Sequence, residues 1–502
     1  MELRLRPAVA IREQPLVRAV GLYLSLYDDE IEARADAFWS ITGQGERSIP
    51  WHDLELTDAV FVVQSDGIVR VARGGACSFP LYWARTERGL RFSTALPIGA
   101  GEPLSRAGLI ASAASAYLHS SYELNAVAAT PLAAWRRVQR ATAMRFQPGV
   151  AAGAEIIDPA LEESPSSTPE RIAQDLRAAL DAYGRSQHAV ECSVLELSGG
   201  FDSTLAAASI VPRRTMHGVS VVFPYYEFRF EAGIQHEVAT ALGIPRDEVD
   251  GTQHLPYAPS RDTVRFDEPT VFVTGIRHAE SVARFAAERG AARLYTGHGG
   301  DQCFATDLLA REPAPRPGAK GPFSAVAWRS LRAAGDALRH SPLMERRLAT
   351  FLVDARQDVW AKEVCGVTVR TPFSDLAVFR SAKAWSRWCR ARDAQPDKTV
   401  VALAAADRLP PAVLERRGKV AYDGVWLRGY QHHADHIAGC FDATADVLEH
   451  LGISASWLIG RVRQLAHRRP CSDREVLAAY ALSAWLRSWQ IEHIGDVPWE
   501  LS

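Results

Sequence analysis

The chain has 502 residues, 47% of them hydrophobic and 23% charged, the balance of a globular protein with room for about two to four domains. Its 57 basic and 59 acidic side chains leave a net charge of −2, which excludes a global field that would hold it to nucleic acid or to an acidic membrane; an anionic ligand has to be gripped locally. The seven cysteines, at 77, 192, 303, 365, 389, 440 and 471, never form a CxxC pair, which speaks against a zinc site and a disulfide framework and fits a reducing, cytoplasmic setting.

In chain order, the first twenty residues are broken by Arg4, Arg6, Arg12 and Glu13 before any apolar run reaches signal-peptide length, so no secretion is expected. From 21 to 157, short β-rich runs (GLYLSLY, AVFVVQ, LYWAR, LRFSTAL) alternate with Gly-containing turns, the pattern of antiparallel strands joined by hairpins. One small-residue helix interrupts them near 105–118; at that length it is far short of the ~20 residues that span a bilayer. The polar segment 158–168, with its Pro and Ser residues, reads as an interdomain linker. The expected division is therefore a first domain over 1–160 and a second over 165–502.

Thr168-Pro169-Glu170 opens the next helix with a hydroxyl cap and a proline at the first helical position. Ile172, Leu176, Ala179, Leu180 and Tyr183 then share one face. The apolar runs VLEL (194–197), GVSVVF (218–223) and ARLYTG (292–297) are separated by helical stretches at 231–242 and 276–289, which predicts a parallel, doubly wound sheet. Beyond about 325 the pattern is helical.

The strongest motif is Ser198-Gly199-Gly200-Phe201-Asp202-Ser203-Thr204, placed between the strand VLEL and the helical run LAAASI. Two glycines permit a tight turn and close backbone approach, and a helix N-terminus aims unpaired N–H groups and partial positive charge into the same space. A carboxylate in the middle of a phosphate cradle makes sense when a metal lies between the two, so Asp202 is expected to hold Mg²⁺.

This heptad resembles the pyrophosphate loop of the ATP-pyrophosphatase families. Further stretches narrow the resemblance to the asparagine synthetase superfamily. Phe266-Asp267-Glu268-Pro269-Thr270 is similar to its FDEP segment, and Thr296-Gly297-His298-Gly299-Gly300-Asp301 to its SGxGxDELFGG loop. Val369-Arg370-Thr371-Pro372-Phe373-Ser374-Asp375 resembles RVPFLD, and Leu409-Pro410 through Gly418-Lys419 to Asp423-Gly424 resembles LP…K…DG. In the first domain Pro80-Leu81-Tyr82-Trp83 and Leu90-Arg91-Phe92-Ser93 resemble the PLYY and FASE strands of that family's N-terminal-nucleophile glutaminase.

The resemblance implies an α+β first domain, a degenerate glutaminase-like αββα sandwich. It implies an α/β second domain of the adenine nucleotide α-hydrolase, or PP-loop, type, with a parallel sheet and a helical extension. It further implies that ATP and Mg²⁺ are used, with Ser198, Gly199, Gly200, Asp202, Ser203 and Thr204 on the β- and γ-phosphates. Gly299 would join that binding site, Asp202 and Asp301 would be the metal carboxylates, and Leu197 and Val221 would flank the adenine. Lys419 would stabilise charge at the α-phosphate and the reacting carbonyl. That role suits a fixed cation in a dry site, and lysines are few here, occurring only at 320, 362, 383, 398 and 419.

Three departures from the family pattern refine the expectation. Glu2 stands where the glutaminase cysteine follows the initiator methionine, so glutamine hydrolysis is expected to be absent. Thr368 stands where family members read the Glu of GVExR, a residue thought to assist deprotonation of the amine. Gln302-Cys303-Phe304 replaces the ELF that follows the metal aspartate. Within the family the pattern is nearest to the lasso peptide macrocyclases. The implied reaction adenylates an Asp or Glu side chain of a ribosomal peptide, and the peptide α-amine then closes the ring, releasing AMP and pyrophosphate. The implied partners are a leaderless core peptide, a leader peptidase and a precursor-recognition protein, with no nucleic acid or membrane. A β-lactam synthetase, an ammonia-dependent asparagine synthetase and a nucleotide-binding scaffold without turnover are the competing expectations.

Overall fold

The computed structural model describes residues 3–5, 22–27, 31–35, 41–42, 60–65, 68–73, 80–86, 89–98, 102–117, 129–138, 142–147, 150–156, 168–187, 192–210, 216–225, 228, 230–260, 265–304, 321–340, 355–415, 423–467 and 473–492. Of the expected linker, residues 158–167 lie outside the described residues, as do Glu2 and Lys419.

Among the described residues before 160 the chain forms two sheets and a helix. Strands β1 (Leu3–Leu5), β2 (Leu22–Tyr27), β3 (Ile31–Ala35), β7 (Tyr82–Thr86), β8 (Gly89–Ser93) and β9 (Trp135–Arg137) make one sheet, in the order β1-β3-β2-β8-β7-β9. Strands β4 (Ile41–Thr42), β5 (Val60–Ser65), β6 (Ile68–Arg73), β10 (Thr142–Gln147) and β11 (Val150–Ile156) make the other, ordered β11-β10-β6-β5-β4. Chain neighbours β2 and β3, β5 and β6, β7 and β8, and β10 and β11 pair antiparallel, as the alternating pattern predicts. The short strands β1 and β4 instead pair in parallel with β3 and β5.

Helix α1 (Arg106–Tyr117) falls where the small-residue run predicts it. Its Leu109, Ile110 and Ala111 are buried with Ala327, Tyr430, Phe441 and Trp485, all from the helices that end the chain. The helix therefore completes the core of the C-terminal helical region, and its small side chains suit that close fit.

The second half is built on a five-stranded sheet in which every pairing is parallel. Its strands β12 (Ser193–Glu196), β13 (Met216–Val222), β14 (Arg246–Asp250), β15 (Arg293–Tyr295) and β16 (Thr368–Arg370) are ordered β14-β13-β12-β15-β16. Helices α2 (Pro169–Ser186), α3 (Phe201–Ile210) and α4 (Glu231–Leu242) contribute to one core, around Leu195 and Leu197; α5 (Phe272–Glu288) contributes to another, around Val194 and Val219. Adjacent strand residues point to opposite faces, so Leu195 and Leu197 meet the first group and Val194 the second. The start of α2 has the expected cap: the Thr168 hydroxyl accepts from the Arg171 N–H at 3.3 Å, and Ile172, Leu176, Ala179, Leu180 and Tyr183 are all buried. Strands β14 and β16 are not predicted from the sequence. Both are edge strands, and β14 reads RDEVD, the charged composition that blunts an exposed edge.

The remaining elements are helical: α6 (Gly300–Phe304), α7 (Ala325–His340), α8 (Ala355–Cys365), α9 (Leu376–Arg390), α10 (Thr399–Ala405), α11 (Pro411–Leu414), α12 (Asp423–Asp442), α13 (Ala445–His450), α14 (Ala455–Leu465) and α15 (Arg474–Ser488). His432 and His436 both lie on α12, and the half-buried His436 meets the Tyr480 hydroxyl at 3.1 Å. Among the described residues no helix is long and apolar enough to cross a membrane.

The segment Phe266–Thr270 ties three parts of the chain together. Arg137, at the end of β9, forms an ion pair with Glu268, both side chains at most 3% exposed. The carbonyl of Phe266 accepts from the indole N–H groups of Trp485 and Trp489, each at 2.8 Å. Arg265 lies over the Trp489 ring at 5.3 Å. Removing one partner of a buried ion pair is strongly destabilising, so Arg137→Ala is expected to lower stability by about 3–5 kcal/mol. Urea denaturation checks this, and the double variant Arg137→Met, Glu268→Leu should recover most of the loss.

Candidate active site

In a doubly wound sheet, ligands bind beyond the carboxyl ends of the strands where the strand order reverses. Here β12 is followed by β13 on one side and later by β15 on the other, so the reversal lies between β12 and β15. The two glycine-rich loops of the sequence leave the carboxyl ends of these two strands.

The first loop turns at Gly199, whose φ of +71° is the left-handed region that glycine occupies without strain. A Cβ there would press on Gln235 and Ile234 at 3.2–3.3 Å, so the loop is wedged against α4. Hydroxyl groups fix its shape. Ser203 Oγ meets Ser198 Oγ at 2.9 Å and accepts from the Ser198 N–H at 3.2 Å, while Thr204 Oγ1 donates to the Gly200 carbonyl at 2.7 Å. Ser198 is exposed, whereas Ser203 and Thr204 are buried; the Thr204 hydroxyl serves the loop's own backbone. Because α3 begins at Phe201, its N-terminal N–H groups open beside this loop.

The second loop, 296–301, packs directly on the first. A Cβ on Gly297 would collide with the backbone of Asp202 and Ser203, and one on Gly300 with the Asp202 side chain. Gly299 has a φ of +96°. The Thr371 hydroxyl donates to the His298 carbonyl at 2.7 Å, bracing this loop from the segment after β16.

These contacts bring Asp202 and Asp301 together on one cation. Lys398 Nζ lies 2.8 and 2.7 Å from the two oxygens of Asp202 and 2.6 Å from Asp301. Asp202 is 14% exposed and Lys398 23%. Burial alone would lower the lysine, but the two carboxylates outweigh it and hold its pKa above the ordinary value, so the ammonium stays charged. The position of Lys398 is itself fixed. The Trp385 indole N–H donates to the Asp397 carbonyl at 2.9 Å, Asp397 Oδ1 accepts from the Thr399 N–H at 2.9 Å, and Trp385 stacks on Trp388 at 5.1 Å.

Two carboxylates that converge on a single positive charge are a donor set that fits Mg²⁺, a hard cation commonly bound by one or two carboxylates together with substrate phosphates. Among the described residues no group of three or more His, Cys, Asp or Glu could hold a metal by itself.

Among the other expected site residues, Leu197 is fully buried among the α2 and α3 side chains, and Gly218 packs over it. Val221 is half-buried and lines a pocket with Phe223, Phe228 and Gln235. Of the pair expected at the adenine, Val221 is the one whose side chain presents surface. Thr368 begins β16, paired with Arg293, which in turn pairs with Ser193 at the start of β12. It therefore sits at the opposite end of the strands from the loops. Cys303 is buried and bonded to the Phe373 carbonyl, and burial pushes its thiol well up. Sequence reasoning passes over Lys398 in favour of Lys419. The signal available was the scarcity of lysine, which picks out both residues alike.

Among solved structures the chain is similar to the U34-tRNA thiolase NcsA from Methanococcus maripaludis with its 4Fe-4S cluster, at 15% identity over 60% of this chain and 82% of that one, with a TM-score of 0.24. No curated protein matches. Residues 172–487 match the family model described as asparagine synthase, whose members are ATP-dependent ligases that form AMP and pyrophosphate, and the chain belongs to this family.

Proposed function

We propose that the chain is a macrolactam synthetase of the lasso peptide type, acting on a ribosomal peptide freed of its leader. A side-chain carboxylate oxygen of the peptide attacks the α-phosphorus of ATP, and pyrophosphate leaves. The peptide α-amine then attacks the acyl carbon, and AMP leaves with the bonding electrons of the C–O bond. Bound Mg²⁺ would neutralise phosphate charge, held by Asp202 and Asp301. The chain's own groups do the remainder: the Ser198–Thr204 loop orients the phosphates, and Lys398 meets the negative charge that develops as pyrophosphate departs.

The observation that carries this reading is the Asp202–Lys398–Asp301 cluster at the strand-order reversal, in a chain of the asparagine synthase family. The absence of the family glutamate at Thr368 favours an amine that needs little help, and a free peptide α-amine, with a reference pKa near 8, is such a nucleophile. We further propose that the first domain is a degenerate glutaminase and that Lys419 acts at the α-phosphate.

The test compares AMP release with synthetic peptides against free aspartate plus ammonium. Peptide-dependent AMP, abolished in Asp202→Ala, is the expected result. AMP formed only with aspartate and ammonium would replace this reading with an asparagine synthetase, and unchanged nucleotide affinity without AMP would make the chain a scaffold.

A further inference from the structure

Thr368 lacks the basicity of the family glutamate and lies at the opposite end of the strands from the loops, so it does not take up the proton that even a free α-amine sheds once it has attacked. One pair stands out. Glu196 is the last residue of β12, two positions before Ser198, and its Oε1 accepts from His278 Nε2 at 2.9 Å. His278 comes from α5, which crosses back from β14 to β15, so its N-terminal end lies at the carboxyl edge of the sheet. Glu196 and His278 are 25% and 36% exposed, so both sides of the pair reach solvent.

Apolar side chains lie around them: Val194 and Val219 on the strands and Ile276, Ala279 and Val282 on the helix. A carboxylate and an imidazole placed there cost stability that aliphatic side chains would not. Burial would raise the Glu196 carboxyl, but the hydrogen bond from His278 leads the effects that hold it below the usual range. The carboxylate therefore stays ionised and fixes the ring with Nε2–H toward it. Nδ1 of His278 is left without a hydrogen bond among the described residues, and its lone pair is open to a proton. A carboxylate that orients an imidazole in this way is the arrangement used to accept protons from nucleophiles.

We propose that the Glu196–His278 pair accepts the proton that the attacking amine loses as the amide bond forms. This rests on the amide-forming reading above. The C–N bond forms, the C–O bond to AMP breaks, and the nitrogen's surplus proton passes to His278 Nδ1. The pair goes from carboxylate and neutral imidazole to carboxylate and imidazolium.

The experiment uses the full chain, ATP and a set of synthetic peptides, each with a free α-amine and one Asp or Glu side chain. ATP–pyrophosphate exchange reads the first half-reaction, and loss of water from the peptide reads the second. In Glu196→Gln and, independently, His278→Gln, the ratio of amide formation to exchange is expected to fall by about 10²-fold. Hydroxylamine, neutral at pH 7 and strongly nucleophilic unaided, should intercept the adenylate equally well in wild type and variants. A ratio unchanged in both variants overturns the proposal, whatever happens to the two rates separately, and so does a loss of hydroxamate in parallel with the amide. If the wild type shows no exchange with any peptide, the peptide-ligase reading fails first and takes this inference with it.

Discussion

Lys398→Ala is expected to lower AMP formation by about 10²–10³-fold, the usual cost of removing one preorganised charge from the transition state. The reason is the geometry around Nζ: Lys398 is held between Asp202 and Asp301 at 2.6–2.8 Å and buried enough that its charge is poorly screened. Lys398→Arg should recover little. The guanidinium is a planar fork suited to pairing side-on with one carboxylate, whereas this position holds a compact charge among three oxygens of two carboxylates. A second readout separates a catalytic defect from a folding one. In the absence of nucleotide the ammonium competes for the carboxylate oxygens a divalent cation would use, so Lys398→Ala should bind Mn²⁺ more tightly than the wild type. Titration calorimetry measures this, and weaker Mn²⁺ binding in the variant would contradict the shared-cation account.

Gly297→Ala is the second large effect. The added methyl would run into the backbone of Asp202 and Ser203. Backbone cannot swing aside as a flexible side chain can, so the two loops must part. Overpacking of this kind costs roughly 1–3 kcal/mol of stability. The functional cost should be larger, because Asp202 and Asp301 are brought together by that contact. ATP affinity is expected to fall at least about tenfold, equivalent to ~1.4 kcal/mol. Gly275→Ala is the matched control. Nothing lies within 4 Å of its Cβ position on α5, and alanine there should be neutral or stabilising by about 0.5–1 kcal/mol. Equal behaviour of the two variants in equilibrium nucleotide binding would show that the loop contact does not matter.

What the sequence makes legible follows from which signals are local. The Thr168 cap, the buried face of α2, helix α4 at 231–242 and the strands on either side of the Ser198–Thr204 loop are all written in short-range patterns of capping and periodicity. Edge strands β14 and β16 are not, because their charged or three-residue stretches carry no alternation strong enough to read. The same distinction governs the site. Asp202 announces itself within a motif, and Asp301 within a second. Lys398 has no motif of its own, and it reaches Asp202 across 196 positions only because α9 and the Trp385–Asp397 hydrogen bond set its backbone. Glu196 hides for a related reason. It reads as part of a strand, and its partner His278 arrives from a helix 82 residues away. The burial of α1 in the C-terminal helices is likewise invisible from its own weakly patterned sequence, since the surface it meets is contributed by residues beyond 320.

Whether the amine and the carboxylate belong to one peptide separates a macrolactam synthetase from its alternatives. The direct measurement is mass spectrometry of a peptide with a free α-amine and a side-chain carboxylate after incubation with the protein, ATP and Mg²⁺, alongside quantitation of nucleotides. A product lighter by one water is expected, formed in equal amount with AMP and pyrophosphate and absent in Asp202→Ala. A peptide of unchanged mass with AMP accumulating, or one that gains nitrogen from added ¹⁵N-ammonium, would contradict it.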